Sequence, residues 1–252
     1  MQLWVDAEHN LARVQLERFA AVVDPGNPAG GLGEVRVDGR ELSAFRPLGV
    51  ELSADKPRDA QADVERYVRG GDLVVTYADR PAPAMRAQLY WRAGAHDRRG
   101  AIAAIELVVS VQTSLLDSFP ALAVRTQLVA SEAYQLVDSR GSFAAIVPPG
   151  GDLALDDSPE LPQCFLFRLP GRQFSYAEMV HPADGRQSLW DGWLHGVDYR
   201  MLLRHELFAQ RLEKGVILRA RVLGVFLDRK DDKTAAAAHW DSFLCEALPL
   251  TT

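Results

Sequence analysis

The chain has 252 residues, of which 48% are hydrophobic and 25% charged, and its net charge is −6 from 28 basic and 34 acidic side chains. This is the composition of a globular protein long enough to bury a core without a metal or disulfide staple, and it excludes disorder and low complexity. The acidic balance argues against a nucleic-acid binder, and no apolar run approaches the ~18 residues of a membrane helix.

Residues 1–6 (MQLWVD) have neither a basic n-region nor an apolar h-region, so a cytoplasmic protein is expected. Strand signals dominate from residue 34. The run 34–37 (EVRV) enters Asp38-Gly39, a strong hairpin turn, with 41–52 as the return strand, broken at Pro47. Residues 53–62 read as a polar loop. The runs 64–68 and 73–77 flank Gly70-Gly71 as a second hairpin. Arg80-Pro81-Ala82-Pro83 is a breaker. The run 86–92 alternates, with Ala87, Leu89 and Trp91 on one face and Gln88, Tyr90 and Arg92 on the other. Residues 96–100 form a charged turn, and 102–113 is the longest apolar strand.

Short β-type runs follow at 122–129, 133–137 and 143–147, with a turn at 139–142. Residues 148–162 form the clearest loop. The runs 163–169 and 174–180 are strands about Pro170-Gly171-Arg172, and 181–197 reads as a loop holding Trp190-Asp191-Gly192-Trp193. The run 199–212 is ambiguous between helix and strand, and 213–229 is a long β-branched strand. Then the period changes. Asp231 or Asp232 can cap a helix, and Ala236, Trp240, Phe243, Leu244 and Ala247 recur at helical spacing until Pro249. The fold class read from this is mainly β: a single domain over 1–252, a large antiparallel β-sandwich closed by one C-terminal α-helix near 232–247. Trp240, Phe243 and Leu244 are expected to pack on the sheet.

Most motifs fail on their context. Gly30-Gly31-Leu32-Gly33 precedes a strand rather than a helix, so it reads as a plain turn and not a dinucleotide loop. His205-Glu206 opens like a zinc motif, but position 209 is Ala209. Asp152, Asp156, Asp157 and Glu160 lack the spacing of a calcium loop. There is no Walker A lysine, no Gly-x-Ser-x-Gly elbow and no Cys-x-x-Cys, so no metal or cofactor is expected. Cys164 and Cys245 both lie among apolar neighbours and read as buried thiols.

One window, 176–206, holds two tryptophans, several histidines and carboxylates. His181 ends a strand before Pro182. Trp190 and Trp193 flank Asp191, so that indoles and a hydrogen-bond acceptor could meet one sugar ring, although loop tryptophans also plug sandwich cores. His205 and Glu206 add charge of both signs. The expected ligand-binding residues are therefore His181, Trp190, Asp191, Trp193, His205 and Glu206, and the expected partner is a carbohydrate. An acid–base pair would come from His181 or His205 with Glu178 or Glu106; Glu178 and His181, three apart on a strand, point to opposite faces. Asp191 with Glu178 or Glu206 is a weaker, hydrolytic pairing. The alternative is a non-catalytic assembly protein, a homodimer formed through the apolar 215–227 strand.

The stretch 212–227 (LEKGVILRARVLGVFL), followed by a helix and the ending Pro249-Leu250-Thr251-Thr252, resembles the closing section of an uncharacterised bacterial group. The strand count, the hairpin style and the length resemble the galactose mutarotase-like supersandwich. That resemblance implies a sandwich fold, and for its mutarotases a His acid and a Glu base on opposite sides of a sugar ring. The Asn-Arg pair of aldose epimerases is absent, since Asn10 precedes Leu11 and Asn27 precedes Pro28. No catalytic residue is carried over, and sugar binding without mutarotase chemistry is expected.

Overall fold

The computed structural model describes residues 3–6, 10–52, 64–78, 85–94, 100–146, 161–195, 197–208 and 210–247. The expected loop at 53–62, the breaker at 80–83, all but the last residue of the turn at 96–100, all but the last two residues of the loop at 148–162 and the acidic cluster of Asp152, Asp156, Asp157 and Glu160 lie outside them. The strands in chain order are β1 (Trp4–Asp6), β2 (Ala12–Gln15), β3 (Phe19–Val23), β4 (Leu32–Val37), β5 (Arg40–Glu41), β6 (Arg46–Glu51), β7 (Val64–Arg69), β8 (Asp72–Ala78), β9 (Met85–Ala93) and β10 (Ala101–Thr113). Then come β11 (Asp117–Ser118), β12 (Ala123–Ala130), β13 (Glu132–Leu136), β14 (Phe143–Ala145), β15 (Cys164–Arg168), β16 (Phe174–Val180), β17 (Gly185–His195), β18 (Asp198–Leu207), β19 (Leu212–Glu213) and β20 (Ile217–Asp228), before helix α1 (Asp232–Cys245).

All the pairings are antiparallel. A nine-stranded sheet has the order β14-β13-β15-β16-β20-β10-β9-β8-β7. A four-stranded sheet (β17-β18-β12-β6) and a five-stranded sheet (β1 to β5 in order) complete the large layers, and β11 pairs with β19 in a short ribbon. One buried cluster draws on all three larger sheets, from Trp4, Val35 and Phe45 to Trp91, Leu107, Leu128, Phe165, Leu203 and Phe226. The large sandwich with one C-terminal helix is thus the fold found.

Three local readings change. Only β5 returns from the Asp38-Gly39 turn; the rest of 41–52 crosses over to become β6, an edge strand, where Pro47 removes no needed ladder hydrogen bond. The crossing explains Gly31: a Cβ on Gly31 would fall 2.2 Å from the Pro47 carbonyl oxygen, and one on Gly49 would fall 2.5 Å from that of Ala29. These glycines let two backbones touch. The ambiguous 199–212 run is strand β18 as far as Leu207, and the first three strands, unread in the sequence, form one side of the five-stranded sheet.

Helix α1 covers the outer side of β15, β16 and β20 through Ala236, Trp240 and Phe243, which join Cys164, Leu166, Met179, Leu223 and Val225 in a second core. Leu244 does not follow; it is 38% exposed. Cys164 is buried, and burial raises its thiol pKa, whereas Cys245 is exposed at the helix end, off the buried stripe, so only one of the two thiols is buried.

The helix start is held by charge rather than by a side-chain cap. Asp231, in the left-handed region, makes no capping bond. The buried Asp232 receives two hydrogen bonds from Arg168, at 2.9 and 3.1 Å, and one from Ser175 at 2.6 Å. Burial pushes the Asp232 carboxyl up, but the bonds from Arg168 and Ser175 and the arginine charge outweigh it, and the net direction is below the ordinary 3.8. Its contribution to stability is therefore present above pH 3.8 and is lost as the pH falls through the lowered native value. Urea midpoints measured from pH 7 to pH 3 should fall less steeply for Asp232→Asn than for the wild type; parallel curves would exclude this linkage.

Candidate functional site

The six expected site residues occupy three separate places. Trp190-Asp191-Gly192-Trp193 is not a loop; it lies inside β17, with Trp190 opposite Leu203, Asp191 opposite Leu202, Gly192 opposite Met201 and Trp193 opposite Arg200. Side chains alternate across a strand, so the two indoles point to opposite faces and cannot clamp one ring. Trp190 is buried in the core with its indole N–H shielded, whereas Trp193 is 49% exposed beside Asp191 on the outer face of the four-stranded sheet. Glu206 shares that outer face and is taken up by Arg204 at 2.5 Å and Gln187 at 2.7 Å.

His205 points inward and is fully buried, so it is closed to a ligand. Its Nε2 lies 3.0 Å from Glu178 Oε1 and its Nδ1 lies 2.7 Å from Ser188 Oγ. Glu178, also fully buried, accepts from Thr126 at 2.5 Å and from the Tyr176 hydroxyl, and the Leu48 N–H donates to Thr126 at 3.0 Å. Burial, then the Glu178 charge, drives the Tyr176 pKa well upward. His205 and Glu178, one of the pairings considered from the sequence, are thus in contact, but between the sheets, where they tie β16, β18, β12 and β6 together. His181 is elsewhere again. It follows β16, accepts from the Ala183 N–H at 3.3 Å, and sets its ring 5.9 Å from that of Phe243 on α1.

The nine-stranded sheet presents a different collection on its outer face, beside α1. The registers of β7, β8, β9, β10 and β20 lay its residues out in rows. One row is charged: Arg69, Asp72, Arg92 and Glu106. Arg92 bridges Asp72 at 3.1 Å and Glu106 at 3.2 Å. The next row runs Tyr67, Val74, Tyr90, Val108 and Arg221, and Val74, Tyr90 and Val108 form a small apolar cluster of their own. The third row is Glu65, Thr76, Gln88, Ser110 and Arg219, and the fourth carries Arg86, Gln112 and Ile217.

Gln88, Ser110 and Arg219 of the third row and Arg86, Gln112 and Ile217 of the fourth, with Tyr90, line a cleft of about 310 Å³. Gln88 donates to Thr76 at 3.0 Å and accepts from the Tyr90 hydroxyl. Burial, then the neighbouring Tyr67, raises the Tyr90 pKa, so the group stays a neutral donor. Arg86 lies 3.8 Å from the exposed Glu65. Arg219 Nε is shielded from solvent and makes no hydrogen bond among the described residues. No carboxylate or imidazole is among the described residues lining the cleft. Nor do the described residues include a cluster of three or more His, Cys, Asp or Glu side chains able to hold a metal ion, or a helix long and apolar enough to cross a membrane. The sequence held part of this signal, in the outward set Gln88, Tyr90 and Arg92 and in the alternation of Arg219 and Arg221 within an apolar strand. The registers that join them are long-range and could not be read.

No family model matches the chain, and no curated protein matches it in sequence. Among solved structures it is similar to the Slr1438 protein from Synechocystis sp. PCC 6803, with a TM-score of 0.54 at 11% identity over 86% of this chain and 96% of that one. It is also similar to a TPR-domain containing protein from Parabacteroides distasonis ATCC 8503, with a TM-score of 0.55 at 10% identity over 96% of this chain. The chain spans 50% of that protein's length. A candidate mutarotase (YeaD) from Salmonella typhimurium is also among the similar structures, with a TM-score of 0.48 at 9% identity over 90% of this chain and 97% of that one. At such identities the likeness shows the fold alone, a large antiparallel sandwich.

Proposed function

We propose that this protein binds a carbohydrate carrying a negatively charged group, in the cleft on the outer face of the nine-stranded sheet. The observation that carries the reading is Arg219, whose Nε is shielded and unpartnered beside Ser110, Gln88 and Tyr90. Among the described residues Arg219 makes no ion pair with a carboxylate, so an anionic ligand can supply one, and charge-assisted bonds are the strong ones. The rest of the lining suits a sugar. Gln88, Ser110 and Gln112 offer hydroxyl-binding groups. Outside the lining, Tyr67, 48% exposed, offers an aromatic ring about 10 Å along the sheet from Tyr90. The lining supplies donors rather than an acid–base pair, which favours binding over epimerisation.

Titration calorimetry with methyl β-D-glucuronide and methyl β-D-glucoside tests this. The glucuronide should bind more tightly than the glucoside. Arg219→Ala should weaken it by about 10–100-fold, the loss expected for a bond to a charged group, with an unchanged far-UV spectrum. Equal affinities for the two sugars, or an Arg219→Ala protein that binds as the wild type does, would overturn the reading.

A second surface keeps part of the site expected from the sequence. Trp193 and Asp191 stand exposed on the outer face of the four-stranded sheet, with Arg200 directly opposite Trp193. One indole with flanking charges can serve as a platform for a sugar face. Trp193→Ala should then abolish any binding that survives Arg219→Ala.

A further inference from the structure

We infer that the ligand of the basic cleft also carries an apolar substituent, seated on an aliphatic patch at the cleft rim. This rests on the cleft reading above and narrows its substrate class to an amphiphile, an anionic sugar bearing an alkyl or aryl group. Ile217 belongs to both surfaces: it lines the cleft opposite Gln112 and is 51% exposed. Beyond that pair β10 ends at Thr113 and β20 begins at Ile217, and the chain pairs again where Asp117 of β11 meets Glu213 of β19, so that residues 114–116 and 214–216 are the short connections between the two ladders. In these two short segments Leu115 is 46% exposed, Leu116 85% and Val216 41%. Single exposed aliphatic residues are ordinary, but several gathered at the mouth of a polar cleft mark a binding surface.

Charge chooses the occupant. Arg86 and Arg219 stand in the two rows next to the patch. A second copy docking here about a two-fold axis would bring its own basic cleft to the same rim, at a like-charge cost. An amphiphile instead satisfies both halves, with its anion at the arginines and its apolar group over Leu115, Leu116, Val216 and Ile217.

The test compares methyl β-D-glucuronide with octyl β-D-glucuronide, the latter below its micelle concentration, on the wild type and on Leu115→Ser/Leu116→Ser. Octyl glucuronide should bind the wild type at least about tenfold more tightly, the gain from burying roughly two methylene groups. The double variant should lose that gain while its affinity for methyl glucuronide stays the same. Equal binding of the two glucuronides by the wild type overturns this inference and leaves the cleft reading intact. Binding of neither overturns both. A dimer by light scattering that the double variant turns into a monomer also overturns the inference, because the patch is then a subunit interface.

Discussion

His205→Ala should lower the free energy of unfolding by about 3 kcal/mol, the cost of leaving a buried polar group with one of its hydrogen bonds unmade. The alanine leaves Glu178 Oε1 without its partner at a site where neither side chain touches solvent. Desolvating an ionised group is repaid only while its hydrogen bonds are complete, and a half-satisfied network is worse than an apolar one. The neighbours cannot relax to rescue it. Thr126 is fixed by its bond from the Leu48 N–H, and Tyr176 fills the space at Gly224, where a Cβ would fall 2.6 Å from the tyrosine hydroxyl. Substituting both members, as Glu178→Leu/His205→Leu, should cost less than the sum of the two single changes, because the bond between the pair is then lost only once. Urea denaturation of the wild type, the single variants and the double variant checks this. A His205→Ala protein within about 1 kcal/mol of the wild type would show that the network is not coupled as described.

Trp240→Ala should cost about 3–5 kcal/mol, the range for removing a large aromatic from a packed core. Trp240 is 3% exposed between α1 and the nine-stranded sheet, and a helix of this length is stable only while its apolar stripe is covered. Leu244→Ala, one turn along but 38% exposed, should cost far less, within about 0.5 kcal/mol of an ordinary surface change. Denaturation midpoints for the two variants separate these effects. Similar losses would mean that the helix is held by something other than its buried stripe.

The elements legible in the sequence were those whose signal is local. The hairpin at Asp38-Gly39, the alternation of Ala87, Leu89 and Trp91, and the helical recurrence of Ala236, Trp240 and Phe243 need only neighbouring residues to be read. Trp190-Asp191-Gly192-Trp193 misled because Asp-Gly is a strong turn signal, whereas here the ladder with β18 carries it through as strand. Once it is a strand, period two sends Trp190 into the core and Trp193 to solvent, and the expected site divides. His205 was expected to meet a ligand, but it lies buried between the sheets, where a titratable group serves structure. The cleft itself was beyond reach. Gln88, Ser110 and Arg219 become neighbours only through two long-range strand registers, β9 with β10 and β10 with β20.

The place where a sugar touches the protein separates the cleft from the outer face of the four-stranded sheet. Titrating ¹⁵N-labelled protein with methyl β-D-glucuronide and mapping the shifted amide signals reads that location. Shifts concentrated at 86–90, 110–112 and 217–221 are the predicted result. Shifts confined to the outer face of the four-stranded sheet, around 191–202, or none at millimolar sugar, would contradict it.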